Sequence, residues 1–135
     1  MVNLEVACKP DIEQDQATVL VVEDEVLIRL MIADALRSEG LTVIEASSGD
    51  EALSVLQSAL PIQLLLTDIR MATELDGLAL ARAARPGLKL VVASSQVSSN
   101  EVAGLADAFF RKPYVVNLIV DRIKSLLKEA QHAGQ

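Results

Sequence analysis

Five residues scattered along the chain could together handle a phosphoryl group: Glu23, Asp24, Asp68, Ser94 and Lys112. Each ends or follows a short apolar run. Three carboxylates brought close repel one another unless a cation sits among them. Hard oxygen donors suit Mg2+, which keeps several waters and accepts a phosphate oxygen as a further ligand. A hydroxyl (Ser94) and an ammonium (Lys112) could bind the other oxygens of an incoming phosphoryl group. Phosphoryl transfer asks mainly for positioning and charge neutralisation. A carboxylate can be its nucleophile, giving an aspartyl phosphate.

Singly, each residue has a plainer reading. An aspartate after a strand, such as Asp68, is ordinarily a turn former or helix cap. Glu23-Asp24-Glu25 reads as a solvated helix start favoured by the helix dipole. Ser94-Ser95 reads as a turn, Lys112 as a surface lysine and Phe109 as core. What separates the five from such accidents is where the surrounding elements put them.

Those elements alternate. Thr18–Val22, Leu41–Ala46, Gln63–Thr67, Leu88–Ala93 and Ala108–Arg111 are short, apolar and partly β-branched, as strands buried on both faces should be. Helical spacing follows the first, with Ile28, Met31, Ile32, Ala35 and Leu36 on one face and Gly40 at the C-terminal cap. Ser47-Ser48 caps a second helix over about 50–59, and Pro61 marks its end. Asp76-Gly77 opens a third helix that stops before Pro86-Gly87. A weak fourth covers about 100–105, interrupted by Gly104 and a candidate for mobility. The last runs over about 115–128, with Ile119, Ile123, Leu126 and Leu127 on one face. Strands alternating with helices predict an α/β fold, a doubly wound five-stranded parallel sheet covered on both sides. Ligands of such sheets bind outside the C-terminal strand ends, where Glu23, Asp24, Asp68, Ser94 and Lys112 fall.

The bulk composition limits the alternatives. The 135 residues suit one domain, read as a leader over 1–17, the fold over 18–130 and a tail over 131–135. Apolar residues make up 51% and aromatic ones 2%, so Leu, Val, Ile and Ala must fill the core. A net charge of −7 argues against a general grip on nucleic acid or an anionic membrane. One cysteine, Cys8, and one histidine, His132, exclude an internal disulfide framework and a Cys/His zinc site. The start lacks the pattern of a signal peptide, and no apolar run is long enough for a membrane span. A cytoplasmic setting is expected.

Taken in order, the motifs ending in Glu23-Asp24-Glu25, Thr-Asp68-Ile-Arg-Met71, Asp76-Gly77, Ala-Ser94-Ser95 and Phe109-Phe110-Arg111-Lys112-Pro113 are specific. The chain resembles the receiver domains of two-component response regulators over about Thr18 to Lys128. The resemblance implies a flavodoxin-like (βα)5 fold with strand order 2-1-3-4-5. It implies that Asp68 is the phosphoacceptor. Asp24 would ligate Mg2+ directly, Glu23 through water, and the backbone carbonyl of Arg70 would add a ligand. Ser94 and Lys112 would hold phosphoryl oxygens, Phe109 would change rotamer with Ser94, and the Lys112-Pro113 bond would be cis. The implied donor is a sensor histidine kinase or histidine phosphotransfer protein, and the output is a downstream protein target. The domain would be a single-domain signalling switch in a phosphorelay, catalysing only its own phosphoryl transfer and dephosphorylation.

The chain departs from the pattern at Ala72, where the family usually has proline after methionine. The loop before Asp76 is longer than usual, and the segments on either side of Ser94 are short. These departures motivate an alternative: a receiver-like interaction module not regulated by phosphorylation. A turnover enzyme ranks lower. A phosphatase would want a second aspartate where Arg70 stands, and a flavin site would want aromatic platforms. Finally, Val116 and Val120 form a second apolar stripe on the last helix, either a wide buried face or a homodimer surface.

Overall fold

Parallel pairing joins five strands, β1 (Thr18–Val22), β2 (Thr42–Ala46), β3 (Leu64–Asp68), β4 (Lys89–Ser94) and β5 (Ala108–Arg111). Each coincides within a residue or so with an expected apolar run. The computed structural model describes residues 17–70 and 74–133. Residues 1–16 of the expected leader, Met71 and Ala72, and residues 134–135 of the expected tail lie outside the described residues. The strand order is β2-β1-β3-β4-β5, as expected. The register sets Val22 beside Thr67, Asp68 beside Ala93, and Ser94 beside Arg111. The C-terminal ends of the central strands therefore share one edge.

The helices are α1 (Val26–Ser38), α2 (Gly49–Gln57), α3 (Glu74–Ala84), α4 (Ser99–Val102) and α5 (Val116–Ala133). Strand side chains alternate between two cores. Val19, Val21, Leu64, Leu66 and Val91 face Ile32, Leu36, Ile119, Ile123 and Leu126 of α1 and α5. Leu20, Val22, Leu65, Leu90 and Val92 face the other way, with Ala52, Val97 and Val102. Covered on both faces, the strands are nearly continuously apolar rather than alternating.

Several local expectations change. Met31 is 56% exposed, whereas Ile32, Ala33 and Leu36 are buried, so the core stripe of α1 is narrower than its periodicity suggested. Gly40 takes a φ of 89°, and the Leu41 amide reaches back to the Leu36 carbonyl, closing α1 with a left-handed cap. Helix α3 begins earlier than Asp76, at Glu74, and α5 continues beyond Lys128 to Ala133. Helix α4 is shorter than expected. Ser98 and Glu101 close a reciprocal capping box at its start, and Gly104, at a φ of 83°, lies just past its end. Val120 is buried in the first core and Val116, partly buried, packs against it, so this stripe contributes to the core.

Among the described residues, no helix is long and apolar enough to cross a membrane. The Lys112–Pro113 peptide is cis.

Candidate functional site

Chain geometry brings the acidic residues of β1 and β3 together. The Glu23 amide donates to the Ala46 carbonyl at 3.1 Å, extending the β1–β2 ladder past its last paired residue. Arg29 of α1 donates to the Glu23 carbonyl at 2.9 Å. The Glu23 side chain is only 4% exposed and both its oxygens are engaged. Oε2 accepts from the Glu25 amide at 3.1 Å, and Oε1 accepts from Lys112 Nζ at 2.7 Å. Lys112 arrives because its amide donates to the Ser94 carbonyl at 2.9 Å, holding it at the end of β5. The same Nζ stands 3.2 Å from Asp68 Oδ2 at the end of β3. Glu23, Asp24 and Asp68 each offer a carboxylate oxygen within 4.8 Å of the others.

Arg70 completes the cluster. Its guanidinium makes a short ion pair with Asp24 Oδ2, and its Nε lies 3.7 Å from Asp68 Oδ2. Its backbone amide donates to Glu74 Oε1 at 2.7 Å, which ties the β3–α3 loop to the first turn of α3. The sequence reading assigned Arg70 only a carbonyl. The signal for its side chain was present: a long cation two residues beyond a strand-end aspartate can reach back over it.

The electrostatics follow from these contacts. Desolvation works to raise the Asp24 carboxyl, but the charge and hydrogen bond of Arg70 outweigh it and hold the group below its ordinary value. The negative charge of Asp24, and then of Asp68, raises the Arg70 guanidinium. Burial works to lower the Lys112 ammonium; the Glu23 hydrogen bond and the Asp68 charge more than offset it, so the group sits above the ordinary lysine value. Tyr114, half-buried beyond the cis proline, is pushed up by desolvation and then by Glu23 and Asp68. Its phenol stays protonated beside the pocket. The sequence reading had passed over Tyr114 entirely.

Ser94 and Phe109 occupy different ground. Ser94 is fully buried, and its Oγ accepts from the amides of Gln96 at 3.0 Å and Val97 at 2.8 Å. Its hydroxyl therefore organises the β4–α4 loop. Phe109, paired with Val92, packs half-buried against the second core. The cleft above the carboxylates, about 200 Å³, is lined by Asp24, Ser47, Ser48, Asp68 and Arg70 among others. Its donors are hard oxygens and its rim is open, which fits a small, partly hydrated divalent cation such as Mg2+. Glu23 also lines it, and Lys112, which lines the neighbouring hollow, reaches Glu23 and Asp68 from beside it.

Comparison with known proteins agrees with this arrangement. Residues 19–124 match the model of the response regulator receiver domain. The chain is 36% identical over 129 residues to a probable transcriptional regulatory protein of Picosynechococcus, covering 86% of this chain and 51% of that protein. It is 35% identical over 121 residues to the sensor kinase CckA of Brucella abortus, covering 84% of this chain and 13% of the kinase. The chain thus spans about half the length of the first of these relatives and a small part of the second. Among solved structures, a response regulator receiver domain protein (CheY-like) from Methanospirillum hungatei superposes with a TM-score of 0.77. That match has 27% identity and covers 87% of this chain and 98% of the other. Receiver domains are the phosphorylation switches of two-component systems and bind Mg2+ in an acidic pocket. The fold, the strand-end placement of the carboxylates and the match over most of the chain converge, and the chain belongs to the response regulator receiver domain family.

Proposed function

We propose that Asp68 accepts a phosphoryl group from a phosphohistidine of a sensor kinase or phosphotransfer protein. The observation that carries this reading is the Lys112 ammonium shared between Glu23 and Asp68 beside an acidic cleft. An oxygen of Asp68 forms the new P–O bond as the P–N bond to the donor imidazole breaks. Lys112 holds a phosphoryl oxygen with a fixed positive charge. Asp24 and Asp68, with the Arg70 carbonyl, would hold Mg2+ directly. Both Glu23 oxygens are already hydrogen-bonded, which favours contact through water. When bound, the ion would neutralise carboxylate and phosphoryl charge together.

Output then runs through Ser94. To donate to a phosphoryl oxygen its hydroxyl must re-aim while Oγ holds two loop amides, so occupancy of Asp68 pulls on the β4–α4 loop. Phe109, on the neighbouring strand, repacks in response. The donor docks beside the cleft on α1 and the start of α5. Leu27 there is 76% exposed, Met31, Val115 and Leu118 are also exposed, and a hollow lined by Met31, Pro113 and Tyr114 reaches Lys112. The alternative, an interaction module not regulated by phosphorylation, is favoured by Arg70 filling part of the pocket.

One assay separates the two. A small phosphodonor should label the wild type only with Mg2+, and Asp68→Asn should lose at least about 90% of the label, as removing a unique nucleophile does. Unchanged labelling of Asp68→Asn would overturn the phosphoacceptor assignment. No labelling of the wild type would support the interaction module.

A further inference from the structure

The pocket carries three carboxylates, Glu23, Asp24 and Asp68, against two cations, Lys112 and Arg70. The cations are not equivalent. Lys112 is mostly buried and committed to Glu23 and Asp68. Arg70 lies on the rim, with its side chain 52% exposed, across the mouth from Asp24 to Asp68. Asp24 is half exposed, and Arg70 is its ion-pair partner among the described residues.

We propose that Arg70 is a built-in cation that caps the ion pocket and must be displaced from Asp24 before a divalent ion can bind, so that this side chain sets the affinity of the site. The proposal rests on the reading of the pocket as a divalent-ion site. The chemistry is one of competition for the same oxygens. A guanidinium takes up a carboxylate lone pair that a metal needs. Leaving costs little, because the pair is exposed and screened and the side chain has water to swing into. The backbone does not have to follow, since the Glu74 carboxylate holds the Arg70 amide at 2.7 Å. One residue can therefore withdraw its side chain while its peptide stays in place. Without a divalent ion, the same guanidinium relieves repulsion between Asp24 and Asp68. The unliganded pocket would keep one net negative charge, and Mg2+ in place of Arg70 would balance it.

The test needs no phosphodonor. Mg2+ is titrated into the full chain and followed by NMR at the backbone amides of Asp24 and Asp68 and at the Arg70 Nε–H. Arg70→Met should bind Mg2+ roughly two- to fivefold more tightly than wild type, the range one exposed ion pair is worth. In the wild type the Arg70 Nε–H should move with the same midpoint as the Asp24 amide. Should Arg70→Met fail to fold, Arg70→Gln carries the same expectation. Equal or weaker binding by the neutral variant overturns the proposal and leaves the ion site standing. So does an Arg70 Nε–H that stays still while Asp24 titrates. No Mg2+ response in either protein overturns the ion site and the proposal with it. A response in Arg70→Met alone supports both.

Discussion

The two faces of the sheet are covered very differently. On one side, α1 and α5 contribute Ile32, Ala33, Leu36, Ile119, Val120, Ile123 and Leu126, all buried. On the other, α2 buries Ala52, the short α4 buries Val102, and Leu75 and Leu78 of α3 are partly buried. A groove of about 300 Å³ runs between α2 and α3, lined by Leu53, Leu56, Gly77 and Leu78, and reaches Asp68. Among the described residues, the first face is a packed core and the second has a thinner helical cover. The pocket straddles the seam between them. Glu23 is anchored to the firm side by Arg29 of α1, whereas Asp68, Arg70 and Ser94 lead into loops of the thin side. Elements with few buried contacts open and shift at low free-energy cost. A switch needs such elements next to a site that does not itself move.

Paired truncations test that contrast most strongly. Ile123→Ala on the firm face should cost about 2–5 kcal/mol, because a fully buried side chain leaves a cavity that long helices cannot close. Leu78→Ala on the thin face should cost roughly 1 kcal/mol, since the side chain is only partly buried beside an existing groove. Urea denaturation of both variants gives the comparison. Equal losses would mean that the faces are equally well packed.

Polar ties should rank the opposite way. On the thin face, the Asp107 carboxylate accepts from the Leu90 amide at 2.8 Å and from Arg82 of α3 at 3.1 Å. Removing it in Asp107→Ala strands a β4 amide and leaves Arg82 of α3 holding the Leu105 carbonyl alone, at a cost of about 1–3 kcal/mol. On the firm face, Lys124 of α5 meets Glu39 past the end of α1 at 2.6 Å, with both side chains exposed. Lys124→Ala should leave the urea midpoint essentially unchanged. If the Lys124 variant loses as much as the Asp107 variant, α1 and α5 depend on charge rather than on apolar packing.

The same asymmetry explains what could be read from the sequence. The strands were legible because Val, Ile and Leu runs covered on both faces have no competing helical period. The strand-end carboxylates followed, since topology fixes where strand ends go. Helix α5 was legible from Ile119, Ile123 and Leu126, but its extension past Lys128 was not marked, since no helix-stop signal separates Lys128 from Ala133. Met31 fits the helical spacing of the core stripe but lies at its edge, exposed, beside the buried Ile32, Ala33 and Leu36. The Arg70 contacts were hidden because a flexible side chain on a loop obeys no period. Ser94 was placed at its strand end, but its role in holding the amides of Gln96 and Val97 depends on a loop turn that spacing alone does not specify.

The most local expected effect lies at the start of α4. Helix α4 has four residues, and at its start Ser98 accepts from the Glu101 amide at 3.4 Å while Glu101 accepts from the Ser98 amide at 2.9 Å. The long first distance makes this half of the box the weaker one. Ser98→Ala removes it and leaves Val102, the apolar anchor of α4, in place. Global stability should therefore fall by less than about 1 kcal/mol. If α4 opens on its own, apart from global unfolding, its amides should exchange with solvent several-fold faster while those of α5 are unchanged. Exchange that accelerates in both helices together would show that the two faces open as one unit, and the thin face would then lose its standing as the part of the molecule that moves first.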